Sequence, residues 1–174
     1  MANEYRHIPH GFDPVFDGRS RVLVLGSFPS VLSRENRFYY GNPRNRFWTV
    51  AAAVLGAPVP PNEPIEASIA AKKALLLEGG IALWDVVASC DIKGSSDASI
   101  RNVRANDIGR ILSAAPIEAV FANGRAAEKL YRAHVEPATG MPIRCLPSTS
   151  PANAAWRTDR LVTEWKHALV PYLK

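Results

Sequence analysis

A chain of 174 residues with 21 Lys and Arg against 16 Asp and Glu, a net charge of +5, is long enough for one α/β domain with a sizeable core and too short for a second. The basic balance favours an anionic partner such as nucleic acid, and two cysteines, Cys90 and Cys145, are too few for a disulfide framework, an all-cysteine zinc site or an iron–sulfur cluster, which fits a reducing cytoplasm. The first residues lack the apolar core of a signal peptide and no later run is long enough to span a bilayer, so a soluble protein with no membrane partner is expected.

Residues Met1 to Ser20 are polar and are interrupted by Pro9, Gly11, Pro14 and Gly18, so they are expected to form an irregular arm (1–20) ahead of a domain over 21–174. Arg21 to Ser27, R-V-L-V-L-G-S, is a continuous apolar run ending in glycine, the pattern of a strand buried on both faces of a parallel sheet. Asn45 stands as the N-cap of a helix over 46–55, stopped by Gly56 and the prolines at 58, 60, 61 and 64. A second helix is expected over 65–78, ended by Gly79-Gly80.

Ile81 to Ala88 reads as the next strand, Cys90 to Asp97 as a polar loop, Ser99 to Val103 as helical turns, and 107–114 as a helix capped by Asn106. Glu118 to Ala122 makes a third strand that turns through Asn123-Gly124-Arg125 into a helix over 126–134. Ile143 to Leu146 is a fourth strand; it opens into the hydroxyl-rich loop Pro147 to Asn153, followed by an amphipathic helix over 158–169. This alternation predicts an α/β fold, a single-domain three-layer sandwich with a central, mainly parallel four-stranded sheet flanked by helices.

The chemistry gathers at strand ends. Phe38 to Trp48, F-Y-Y-G-N-P-R-N-R-F-W, holds three consecutive aromatics beside a Gly-Asn-Pro turn, and either stacks on a planar ligand such as a nucleobase or forms a buried aromatic cluster. Asp85, a lone acid at the end of an apolar strand, either caps the following loop or reads a ligand in the cleft. Gly124 at a strand-to-helix turn allows an anion close to the backbone, and the hydroxyls of Ser148, Thr149 and Ser150 suit phosphate. The histidines His7, His10, His134 and His167 have no ligand-like spacing; structural or surface roles are expected of them, with no metal site and no cofactor.

In order, G-S-F-P-S (26–30), Y-Y-G-N-P-R-N-R-F-W (39–48), L-W-D-V (83–86), N-G-R-A-A (123–127) and P-S-T-S-P-A-N (147–153) resemble the motifs of the uracil-DNA glycosylase superfamily, and more narrowly its hypoxanthine-DNA glycosylase branch. The resemblance spans about Arg21 to Trp165. It implies that the residue positioning the attacking water in other branches is replaced by Phe28, that the His or Asn preceding the final Pro-Ser is replaced by Leu146, and that the important polar residue is instead Asn45. It further implies that Tyr40 stacks on the extruded base beside Ser27 and Phe28, and that Asp85 reads the base edge.

Hypoxanthine and uracil present a ring N–H beside a carbonyl, whereas adenine and cytosine present a bare ring nitrogen beside an amino group. An ionised Asp85 only accepts, so it suits the deaminated bases. Guanine shares the accepted edge and has to be excluded through its 2-amino group. The expected activity is therefore monofunctional excision of hypoxanthine, uracil or xanthine from double-stranded DNA, or from single strands, by a monomer that extrudes the base. Asn45 either donates to the leaving base or holds water. The DNA grip is assigned to Gly124, Ser148, Thr149, Ser150, Asn153 and exposed arginines such as Arg44, Arg46 and Arg125. The apolar Phe28 and Leu146 keep a competing expectation open, a damage-binding module without catalysis; a small-molecule nucleotide enzyme is disfavoured by the absence of a G-x-G-x-x-G or P-loop motif.

Overall fold

In the computed structural model, which describes residues 3–173, the apolar runs pair in parallel. After a first short strand β1 (Arg6–Pro9), the strands β2 (Val22–Gly26), β3 (Ile81–Asp85), β6 (Ala119–Asn123) and β7 (Arg144–Leu146) form a sheet in the order β3-β2-β6-β7. Every residue of β2 and β3 is buried, as hydrophobic runs without alternation require. The register sets Gly26 beside Asp85 and Asn123 beside Leu146, which aligns the carboxyl ends of all four strands.

The helices are α1 (Val31–Asn36), α2 (Phe47–Leu55), α3 (Ile65–Gly79), α4 (Gly109–Ala114), α5 (Arg125–His134), α6 (Glu136–Thr139) and α7 (Thr158–Leu169). The α1–α3 connection joins β2 to β3 and the connections into β6 and β7 run the other way across the sheet, so the right-handed rule for parallel crossovers assigns the two groups to opposite faces. The strand order reverses between β2 and β6, and a crevice opens there at the carboxyl ends.

Five expectations are corrected. The arm is not irregular: β1 pairs antiparallel with β4 (Val87–Ile92), and Val15 bridges Leu83 on the outer edge of β3. These pairings join residues far apart in sequence, which no local periodicity announces. The strand expected over 81–88 breaks at Val86, whose N–H donates to Gly26 O (2.9 Å), so the chain leaves the parallel sheet directly after Asp85. Cys90 to Ile92 belong to β4 rather than to a loop, and β5 (Arg101–Ala105), largely exposed, replaces most of the helical turns expected over 99–103. Together β1, β4 and β5 make a second, antiparallel sheet. Asn106 does not cap α4; its Nδ2 donates to Asp85 O (2.8 Å) and pins the break between the two sheets.

Helix α7 matches its predicted bounds because its apolar stripe is continuous: Leu161, Trp165, Ala168 and Leu169 are buried. Trp165 stands edge-on to Phe47, ring centroids 6.0 Å apart, and its Nε1 donates to Pro147 O at 3.0 Å, tying α7 to α2 and to the final loop. Trp165→Ala should cost about 3–5 kcal/mol, measured as a lower urea midpoint at unchanged slope.

Candidate active site

A cavity of about 240 Å³ opens at the strand-order reversal, with Gly26, Phe28, Tyr40, Asn45, Asp85 and Asn123 among its walls. Motifs as far apart as Gly26 and Pro151 meet here because each follows, or ends, a parallel strand.

Asp85 is 4 % exposed. It sits against Gly26 so closely that a Cβ on Gly26 would lie 2.3 Å from Oδ1, a distance no side chain can occupy, so glycine at this position is a steric requirement. Its Oδ2 lies 2.7 Å from His10 Nε2, and His10 Nδ1 lies 3.0 Å from Phe12 O. His10 is itself 5 % exposed and packs among the rings of Phe12, Phe28 and Tyr39. His10, expected to have a structural or surface role, is buried directly after β1 as the partner of Asp85.

The opposite wall is a hydrogen-bond chain whose directions can be assigned. The backbone N–H of Thr149 donates to Asn123 Oδ1 (3.0 Å), so Asn123 Nδ2 is the donor to Tyr40 Oη and to Thr149 Oγ1, both at 3.0 Å. The N–H of Phe47 donates to Asn45 Oδ1 (2.9 Å), so the Thr149 hydroxyl must give its proton to that same oxygen, at 2.8 Å. Asn45 Oδ1 is then fully occupied, and Asn45 Nδ2 faces the cavity without a partner among the described residues. Asn45, singled out from the sequence, lines this cavity, as does Asn123, which sequence reasoning passed over and whose signal is an amide at a strand's last residue just before glycine.

Tyr40 adopts φ +50°, rare for a bulky residue and costing about 1–2 kcal/mol. Stacking on Phe47, with centroids 4.3 Å apart at 23°, and the bond from Asn123 hold it there. Burial, reinforced by the nearby charge of Asp85, pushes the phenols of Tyr39 and Tyr40 far above their ordinary range. Ser27 Oγ donates to Asp97 Oδ1 (2.8 Å); burial at the cavity wall raises the Asp97 carboxyl, the Ser27 hydroxyl partly opposing and Asp85 adding to the shift. Asp97 is a second residue that sequence reasoning left in a loop.

A shallower groove of about 640 Å³ adjoins the cavity, sharing Asp97, Asn123, Ser148 and Ser150 with it and running along Gly124, Arg125 and Asn153. Ser148 Oγ accepts from Ser150 N, and Asn153 Nδ2 donates to Ser148 O, so the loop is braced from within. Two expected DNA contacts, Thr149 and Arg46, are engaged within the fold, whereas Gly124 lines the groove. Thr149 is fully buried and its polar groups are spent on Asn45 and Asn123. Gly124 (φ +94°) gives its own N–H to Leu146 O, leaving the α5 amides that follow it free. Arg46 is no surface charge: its guanidinium donates to the carbonyls of Ser150, Asn153 and Trp156 and clamps the loop. Arg44 is exposed but borders neither hollow. Among the described residues no three His, Cys, Asp or Glu side chains gather as a metal site, and no helix is long and apolar enough to cross a membrane.

The sequence profile of the Uracil DNA glycosylase superfamily matches residues 14–174. The chain belongs to that superfamily. As a member it is a DNA glycosylase. It is 33 % identical over 164 residues to a hypoxanthine DNA glycosylase of Methanosarcina acetivorans, covering 91 % of this chain and 96 % of the relative. A hypoxanthine DNA glycosylase of Methanosarcina barkeri is 32 % identical over 149 residues, covering 82 % and 87 %. The solution NMR structure of a candidate uracil DNA glycosylase from M. acetivorans superposes with a TM-score of 0.73 at 31 % identity, covering 91 % of this chain and 94 % of the other. The fold of a glycosylase with a central parallel sheet is thereby shown independently of the motifs.

Thr149→Val in the glycosylase removes one hydroxyl and little volume; it should lower base excision at least about tenfold while costing about 1–3 kcal/mol of stability, read by single-turnover kinetics and urea unfolding. Ultraviolet titration should find the Tyr39 and Tyr40 phenols silent until the protein unfolds. The folded state keeps both protonated where the unfolded chain releases its protons, so their effect on stability is nil below about pH 10 and becomes a loss as pH rises beyond it.

Proposed function

We propose that this glycosylase excises deaminated bases, hypoxanthine foremost, from double-stranded DNA, acting as a monomer without a cofactor. The observation that carries the reading is a pair of groups on the walls of one cavity: Asp85 Oδ1, an acceptor, and Asn45 Nδ2, a donor, each without a partner among the described residues. A purine with an N–H at one end of its ring system and lone-pair nitrogens at the other engages both. Uracil and xanthine carry the same N–H beside a carbonyl and are the further candidate substrates, as is any of these bases in single-stranded DNA, where no pairing has to be broken. Two relatives named hypoxanthine DNA glycosylase, each about one-third identical over most of the chain, support the choice.

The glycosidic C1′–N bond breaks with its electron pair passing to the base, and an oxocarbenium ion forms at the sugar. Water adds to C1′, and the proton that it loses ends on the released base. Both lone pairs of Asn45 Oδ1 are occupied, so Asn45 cannot accept a proton from water; it donates from Nδ2 to the departing base. Phe28 and Leu146 contribute shape and dryness, not proton transfer. Catalysis then rests on positioning and leaving-group stabilisation, and the absence of lysine from the matched motifs fits a glycosylase without a lyase step. The groove formed by Ser148, Ser150, Asn153 and the α5 N-terminus receives the backbone beside the lesion.

The test is base release from duplexes bearing a single deoxyinosine or deoxyuridine. Free hypoxanthine should appear, with the strand cut only after alkali, and Asn45→Ala should slow release at least about a hundredfold while duplex binding persists. Salt-dependent lesion binding with no base released by the unaltered protein would instead identify a damage-binding module.

A further inference from the structure

We infer that His10 is a specificity-setting positioning residue: it locks Asp85 so that the oxygen facing the cavity can only accept a hydrogen bond. The inference rests on Asp85 as the reader of the base edge.

Proton counting carries it. Phe12 O can only accept, so His10 Nδ1, 3.0 Å away, carries a hydrogen. Exactly one further proton then fits in the 2.7 Å gap between His10 Nε2 and Asp85 Oδ2. If that proton rests on nitrogen, the pair is imidazolium and carboxylate; if it rests on Oδ2, the pair is neutral imidazole and carboxylic acid. In both cases Asp85 Oδ1 bears no hydrogen. It accepts from the ring N–H of a deaminated base and opposes the bare ring nitrogen of adenine or cytosine, wherever the shared proton lies.

Without His10 this assurance disappears. Asp85 is buried beside the phenols of Tyr39 and Tyr40 and near a second carboxyl, Asp97, and with the partner of Oδ2 gone nothing assigns a proton to one oxygen rather than the other. An unpartnered acid carries its hydrogen on either oxygen and can donate to the adenine ring nitrogen. The pair also has a role in the chemistry: a lone carboxylate would repel the negative charge gathering on the departing base, whereas the His10–Asp85 pair with its shared proton is neutral as a unit.

Three variants separate the effects. His10→Gln places an amide N–H where Nε2 stood and keeps the donor to Oδ2; His10→Leu removes it. Hypoxanthine release, and the preference for hypoxanthine over adenine, should be close to those of the unaltered protein in His10→Gln. His10→Leu should be slower at least about tenfold at neutral pH and prefer hypoxanthine over adenine less strongly by a similar factor.

Equal behaviour of the Leu and Gln variants, or a slower Leu variant with an unchanged preference for hypoxanthine over adenine, overturns the inference. If His10→Leu does not fold, imidazole ¹⁵N spectra of the unaltered protein decide: a protonated Nδ1 is expected, and a bare Nδ1 overturns the inference. Asp85→Asn, measured alongside, keeps the two readings apart. An unchanged preference between hypoxanthine and adenine in that variant defeats Asp85 as the base reader, whereas a changed preference there with none in His10→Leu defeats His10 alone.

Discussion

The contact on which the site depends is the approach of the Asp85 carboxylate to the bare Cα of Gly26. Parallel pairing of β2 with β3 sets these residues side by side at the end of the sheet, and the absence of one methyl group makes room for Oδ1. Because the chain leaves the sheet at Val86, anchored by Gly26 O and by Asn106, Asp85 is the last residue held by the parallel ladder. Its backbone has strand rigidity while its side chain stands at the open edge. A buried acid is costly unless it is partnered, and here the partner comes from the opposite end of the fold's assembly, the N-terminal strand.

A second constraint balances the first. The Asn123–Thr149–Asn45 chain connects the carboxyl end of β6, the final loop and the turn before α2, so three segments share one set of donors and acceptors. Two backbone N–H groups, those of Thr149 and Phe47, cannot reverse direction, and they fix every side-chain amide between them. The resulting polarity presents an acceptor from the β3 side of the cavity and a donor from the α2 side. Arg46, the residue after Asn45, holds the carbonyls of the final loop, so the groove wall and the donor are carried by one turn.

Much of this was written locally and some of it was not. The β2 run and the α7 stripe are periodic or continuous over enough residues to be read directly, and both formed where expected, β2 short by a residue at each end. Asn45, Asp85 and Tyr40 could be placed because each adjoins a strong local signal, a turn or a strand end. His10 lies 75 residues from its partner within a stretch dominated by prolines and glycines, where neither pattern nor spacing hints at pairing. Thr149 and Arg46 look like surface polar residues by type; only packing reveals that one is fully enclosed and the other occupied by carbonyls. Polar residues of a loop advertise their chemistry in sequence, but not which way they face.

The superfamily match begins at residue 14, yet β1 and His10 precede it. Asn45 and Asp85, the amide and carboxylate proposed to act on the base, therefore lie within the matched span, while His10, proposed to fix the carboxylate's hydrogen-bonding character, precedes it. A fold arranged this way separates the groups proposed to meet the base from the one proposed to tune them. Change at a single position ahead of the matched span would then alter which base edge is accepted without disturbing a residue of the parallel sheet.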